Sequence, residues 1–264
     1  MEEMQKGNQL DTEKKIAIVV DDDEICRCVA VDILENLGLR VHSATNAEEA
    51  TRLVKRFNYD LVLLDFHMPS INGIDLAKNL LKTDSTIKNK IFILTGEKSE
   101  NVLNKIANGE TFNIIQKPLD HNEIVSFFSD EVIKDHSPKE NNKAYSCIDG
   151  IDISSGISNF MGYESSYFNI LREFPEYGMK FISDYSNFMH DKNFKECMRL
   201  AHSIKGSSLM IGASEINMLA KELEKACFPP YSIKNIKHLY KKLEKEIVDT
   251  SNNILDYFKS NDLK

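Results

Sequence analysis

Short, nearly unbroken apolar runs recur along the first half of the chain: Ile16-Ala17-Ile18-Val19-Val20, Leu39 to Ala44, Leu61-Val62-Leu63-Leu64, Ile91-Phe92-Ile93-Leu94 and Phe112 to Ile115. Runs without polar alternation are what strands covered on both faces require. Helical periodicity fills the intervals, near 24–37, 46–57, 73–82, 98–108 and 120–134. A five-fold alternation of strand and helix predicts an α/β doubly wound, five-stranded parallel sheet. In such sheets polar groups at the carboxyl ends of the strands gather on one rim, where the strand order reverses.

The pattern then changes. Around His136-Ser137-Pro138-Lys139-Glu140-Asn141-Asn142-Lys143 no apolar period remains, so the chain divides into an N-terminal extension (1–14), an α/β domain (15–134), a linker (135–147) and a second domain (148–264). The second domain carries helical periodicity only, near 152–161, 165–190, 193–211, 214–227 and 233–259, with Pro175 expected to break or kink the second segment. Short connections between successive helices predict an all-α antiparallel four-helix bundle with a short leading helix.

Composition narrows the partners. A formal charge of −8 and 264 residues suit two ordinary domains and argue against a general nucleic-acid- or acidic-membrane-binding surface, which clustered Lys and Arg would build. No stretch approaches the roughly 20 apolar residues of a membrane helix, and the polar start lacks a signal-peptide core, so a cytoplasmic protein without a membrane span is expected. Cys26, Cys28, Cys147, Cys197 and Cys227 are scattered and odd in number, which argues against a disulfide framework. Cys26 and Cys28 fall on different faces of one helix, favouring packing over metal binding.

Asp21, Asp22, Asp65, Thr95 and Lys117 each end or follow a predicted strand. Crowded carboxylates repel one another and call for a cation; Mg²⁺ suits oxygen donors held together with phosphate oxygens. A carboxylate can attack phosphorus to give an acyl phosphate, with a lysine charge and a hydroxyl donor steadying the transferred group. These residues, with Asp65-Phe66-His67-Met68-Pro69 and Lys117-Pro118, make residues 16 to about 133 resemble the receiver domain of bacterial-type response regulators and hybrid kinases, a flavodoxin-like fold. The resemblance implies Asp65 as phospho-acceptor, Asp22 as direct Mg²⁺ ligand, Asp21 acting through water, and the His67 backbone carbonyl completing the protein's share of the metal shell. It further implies Thr95 as switch hydroxyl, Lys117 as phosphate-binding lysine in a cis Lys117-Pro118 bond, and Gly96 as a small residue giving access to the acyl phosphate. Such domains catalyse their own Mg²⁺-dependent phosphorylation and dephosphorylation. Two departures stand out: Ile114 occupies the place of the usual Tyr or Phe switch, and the segment from Asn108 to Phe112 is one residue longer than the common turn.

In the second domain Phe194, Cys197, Ala201, Ile204, Ser208 and Ile211 share one helical stripe, and His202 lies off it beside Lys195, Arg199 and Gly206. An exposed imidazole with positive neighbours can take a phosphoryl group. Gly206 costs a helix about 1 kcal/mol relative to Ala, and it stands one turn beyond His202, where a missing side chain leaves room for an approaching protein. Ala201-His202-Ser203-Ile204-Lys205-Gly206-Ser207-Ser208, then Ile211-Gly212-Ala213, a following helix with Leu219, Leu223 and Glu224, and the leading Ile153-Ser154-Ser155-Gly156-Ile157 resemble a histidine-containing phosphotransfer (HPt) domain. That resemblance implies His202 as phospho-acceptor, Lys205 as its electrostatic support and Gly206 as the clearing for a docked receiver.

Together the two resemblances imply a phosphorelay intermediate. It would be charged on Asp65 by an upstream histidine kinase or hybrid kinase and would exchange phosphate through His202 with its own receiver or a downstream response regulator receiver. No kinase domain or DNA-binding output is evident. Competing readings are a phosphate sink, a phosphate-insensitive docking platform, and a haloacid dehalogenase-type phosphatase using Asp21-Asp22-Asp23. The last lacks a later acidic metal motif. An FMN site fits the sheet but not the acidic rim.

Overall fold

The structure is a computed structural model and describes residues 14–96, 112–119, 121–128 and 145–261. The predicted helix at 98–108, most of the long Asn108 turn and the linker up to residue 144 lie outside the described residues.

Five strands, β1 (Ile16–Val20), β2 (Arg40–Ala44), β3 (Leu61–Asp65), β4 (Ile91–Thr95) and β5 (Asn113–Gln116), pair in parallel in the order β2-β1-β3-β4-β5. Every residue of β3 and β4 is buried, whereas edge strand β2 leaves Arg40 and Ser43 exposed. This difference accounts for the unbroken apolar runs of the inner strands. Helices α1 (Glu24–Asn36), α2 (Ala47–Val54), α3 (Gly73–Thr83) and α4 (His121–Phe127) flank the sheet. Asp23, Asn46 and Asn72 start the first three by accepting from the backbone N–H three residues on, which satisfies a donor that the helix itself cannot. Gly73 is required where α3 meets the end of β3: a Cβ there would stand 2.4 Å from the Asp65 carbonyl oxygen.

The second domain holds α5 (Ile153–Asn159) and four long helices, α6 (Glu164–His190), α7 (Phe194–Met210), α8 (Ser214–Ala226) and α9 (Ile233–Asn261). Each long helix touches the next, and α9 closes on α6, giving the expected bundle. Pro175 does not end α6, which runs through it for 27 residues. Its missing N–H removes one helical hydrogen bond, while the adjoining buried side chains of Leu171, Phe174 and Phe181 hold the helix against the core. Tyr145, inside the segment read as linker, already packs its ring on Phe168, 5.7 Å between centroids. No helix among the described residues is long and apolar enough to cross a membrane.

The two domains pack together. Ile25, Cys26, Val29 and Ile33 of α1 belong to the same buried apolar cluster as Ile170, Leu171 and Phe174 of α6, and α1 lies against both α6 and α7. Burying an apolar side chain of this size contributes about 1.5–3 kcal/mol, more than the roughly 0.5–1.5 kcal/mol needed to immobilise it. At one end of α1, Asn36 Nδ2 donates to Ser166 Oγ at 3.3 Å. At the other, Arg199 Nη1 donates to Asp22 Oδ2 at 3.0 Å.

Candidate functional site

The rim above β1 and β3 is where the strand order reverses, and here the loop after β1 carries Asp21 and Asp22 while β3 ends on Asp65. Asp21 and Asp65 are buried, and carboxylate oxygens from Asp21, Asp22 and Asp65 lie within 4.8 Å of one another. Lys117, just beyond β5, sends its Nζ between two of them, 2.7 Å from Asp21 Oδ2 and 2.9 Å from Asp65 Oδ1. Thr95 ends β4 fully buried, and its carbonyl accepts from the Lys117 N–H at 2.7 Å. The Lys117-Pro118 bond is cis. The His67 N–H donates to Asp65 Oδ2 at 2.9 Å.

Electrostatics follow from the crowding. Burial pushes the Asp21 carboxyl up to about 8 against the pull of Lys117, with Asp65 and Asp23 adding repulsion. Burial also raises Asp22, helped by Asp65 and opposed by Arg199. At Asp65 burial acts upward too, but Lys117 and the nearby histidines outweigh it and hold the carboxyl low. Three carboxyl groups whose oxygens converge in this way are suited to a hard divalent cation.

His202 lies on α7 facing this rim. The sequence suggests an exposed imidazole, but its side chain is only 21% exposed, because the receiver-like domain covers it. Its ring packs on that of His67, 4.3 Å between centroids. Nδ1 lies 2.6 Å from Glu224 Oε1 on α8, and Lys205 Nζ stands 2.6 Å from Glu224 Oε2 and 3.1 Å from Nδ1. The surround is therefore mixed, with an acid at its centre. Burial alone would raise Glu224, yet His202 and Lys205 overcome it and hold the carboxyl down to about 2. Glu224 thus orients the imidazole through Nδ1.

A cavity of about 220 Å³ joins the two sets, lined among others by Asp21, Asp22, Asp65, Lys117, His202 and Lys205. Gly96 borders it as well. At roughly 30 Å³ per water, it has room for a phosphoryl group and several waters. Gly206 sits where α7 meets α1, and a Cβ there would be 3.2 Å from Cys26 Sγ. Its open face is thus filled by this chain's own α1. Ile114 is half-buried on β5.

Three features are not evident from sequence. Glu224 appears there only as part of a helical pattern, since its reach to His202 depends on the α7–α8 register. Arg199 appears as a charge beside His202, whereas its partner Asp22 is 177 residues away. Tyr177 carries no sequence signal at all.

The low Glu224 pKa has a consequence for stability. Its folded value lies below the unfolded one of about 4.5, so its contribution is complete above pH 4.5 and disappears as the pH falls towards 2. Glu224→Gln should therefore narrow its stability gap from wild type by about 2 kcal/mol between pH 6 and pH 3, measured by denaturant unfolding at both pH values. An unchanged gap would mean that Glu224 is not held ionised by His202 and Lys205.

Residues 17–129 match the response regulator receiver domain family, and residues 169–257 match the Hpt domain family. The probable transcriptional regulator ycf29 of Porphyra purpurea is 28% identical over 126 residues, 48% of this chain and 60% of that protein. The autoinducer 1 sensor kinase/phosphatase LuxN of Vibrio campbellii is 29% identical over 113 residues, 42% of this chain and 13% of its own length. Chemotaxis protein CheY4 of Vibrio cholerae, a solved structure, is 25% identical with a TM-score of 0.38, covering 43% of this chain and 94% of that one. The chain spans less than two thirds of ycf29 and a small fraction of LuxN. A receiver and an Hpt domain in one chain support a role in a phosphorelay.

Proposed function

Since this chain joins a response regulator receiver domain to an Hpt domain, we propose that it is a cytoplasmic phosphorelay intermediate in which Asp65 and His202 exchange a phosphoryl group within one molecule. The observation that carries this reading is the shared cavity with Asp65 and Lys117 on one wall and His202 and Lys205 on the other.

Asp65 receives the group from the phosphohistidine of an upstream kinase or hybrid kinase: a carboxylate oxygen bonds to phosphorus as the donor's N–P bond breaks. His202 Nε2 then attacks the same phosphorus, forming an N–P bond while the Asp65 O–P bond breaks and the carboxylate is restored. Nδ1 of the imidazole is engaged by Glu224, so Nε2 is the nitrogen that bonds to phosphorus. Lys117, between Asp21 and Asp65, balances the carboxylate charge before and after transfer, and Lys205 does the same beside the histidine. Thr95 would serve as hydroxyl donor to the acyl group, and Gly96, which borders the cavity, as its opening.

Asp21, Asp22 and Asp65 would hold Mg²⁺ with the His67 carbonyl, and the cation would supply positive charge against the phosphoryl oxygens. The closed arrangement covers both acceptors, so loading by a kinase and delivery to a downstream response regulator receiver require the domains to part.

The test is dilution. With a small-molecule phosphodonor and Mg²⁺, phosphate should reach His202 after Asp65 at a rate independent of protein concentration over a hundredfold range, followed by site-resolved mass spectrometry under neutral conditions. A rate proportional to concentration would instead assign transfer to separate molecules.

A further inference from the structure

We infer that Tyr177 is a positioning residue that selects the receiver of its own chain for the bundle's histidine, through a buried hydrogen-bond network with Asp23 and Ser207. This inference rests on the intrachain transfer proposed above and deepens it.

Asp23 is 6% exposed and Ser207 is fully buried. The Asp23 carboxylate accepts on Oδ1 from the Cys26 N–H at 2.8 Å and from Ser207 Oγ of α7 at 2.9 Å. Its Oδ2 accepts from the Tyr177 hydroxyl of α6. Ser207 Oγ also lies 3.0 Å from the Tyr177 oxygen. Two helices of the bundle thereby converge on one carboxylate of the receiver domain.

Capping α1 explains only part of this arrangement. A cap needs one oxygen, and Ser, Thr, Asn or Asp supplies it comparably. At residue 23 the second carboxylate oxygen is used across the domain boundary. A receiver with a one-oxygen cap at this position would be equally well folded, yet it would deny the Tyr177 hydroxyl its carboxylate acceptor and leave Ser207 Oγ as its partner. Losing a hydrogen bond to a charged acceptor weakens docking by about tenfold or more. Asp23 borders the reaction cavity and its backbone N–H donates to Asp21 Oδ1 at 2.9 Å, but the contacts among the Asp23 carboxylate, Tyr177 and Ser207 reach none of Asp65, Lys117 and His202, so transfer is read per phosphorylated Asp65 to separate how the domains meet from how Asp65 is loaded.

The experiment is a double-mutant cycle in the full chain, using Tyr177→Phe and Asp23→Thr, the latter keeping a capping oxygen and offering a methyl group in place of the second. The readout is the rate of transfer from Asp65 to His202 per phosphorylated Asp65, after loading with a small-molecule phosphodonor and Mg²⁺. Each single variant should slow transfer about tenfold, and the double should be faster than either, because ring and methyl match again. A role confined to the fold of either domain predicts losses that multiply. Ser207→Ala provides a second break in the network and should slow transfer in the same direction. If wild type transfers but Tyr177→Phe and Ser207→Ala transfer equally fast, or if the two losses multiply, the selection role is wrong while the relay stands. If Asp65 is labelled in wild type and no phosphate reaches His202, both fall.

Discussion

Asp65→Asn is expected to remove label from both Asp65 and His202, by at least about a hundredfold, when the full chain is incubated with Mg²⁺ and a small-molecule phosphodonor. An amide offers no carboxylate oxygen to attack phosphorus, so the acyl phosphate cannot form. The change also takes one charge from the three carboxylates gathered within 4.8 Å, weakening whatever cation they hold, and leaves Lys117 with Asp21 alone as its carboxylate partner. The downstream loss is the informative part. His202 shares with Asp65 a cavity walled by the receiver domain, so in this chain its phosphate should come by way of Asp65. His202→Gln makes the opposite cut, with Asp65 labelled and no acid-labile phosphohistidine. Wild-type levels of phosphohistidine in Asp65→Asn, with no other protein present, would show that His202 is charged without the receiver and would remove the order of transfer proposed here.

Gly206→Leu should give the second large effect, and with opposite signs in two assays. Gly206 faces Cys26 of α1, and a Cβ alone would come within 3.2 Å of its sulfur. The flexible cysteine can yield to a methyl group by a few tenths of an ångström, but a leucine's remaining carbons would have to enter the packed α1–α7 contact, where overfilling typically costs about 1–3 kcal/mol. The domains should part, and transfer from Asp65 to His202 should fall about a hundredfold, while Asp65 is labelled as in wild type. Inside α7 the same change replaces the poorest ordinary helix former by a good one, worth about 0.8 kcal/mol. The bundle should therefore unfold at the same temperature as wild type or a higher one. Small-angle scattering would report the separation as a larger radius of gyration. Transfer at the wild-type rate in this variant would mean that the observed contact is not the one through which phosphate passes.

Much of the architecture was legible in the chain because it follows from local pattern. Strands buried on both faces must be continuously apolar, so the runs at 16–20, 61–64 and 91–94 announced a doubly wound sheet. A sheet so wound carries its polar strand ends to one rim, which brought Asp21, Asp22, Asp65, Thr95 and Lys117 together before any distance was known. The stripe through Cys197, Ala201 and Ile204 likewise indicated which side of α7 is core. That Pro175 does not break α6 lies beyond such local pattern: proline's missing donor counts against a helix, but the burial of Phe174 and Phe181 that sustains α6 comes from other helices.

What the sequence by itself determined is therefore the set of elements, the two domains and the chemical groups they present, each a consequence of periodicity and residue type along a few turns of chain. Tertiary structure alone decided that His202 is covered and not exposed, that Glu224 holds its Nδ1, that Arg199 meets Asp22, and that Tyr177 and Ser207 close on Asp23. These pairings join residues 22 to 184 positions apart. They depend on the register of packed helices and on the face that one domain turns to the other, and neither quantity is written in the spacing of apolar and polar residues.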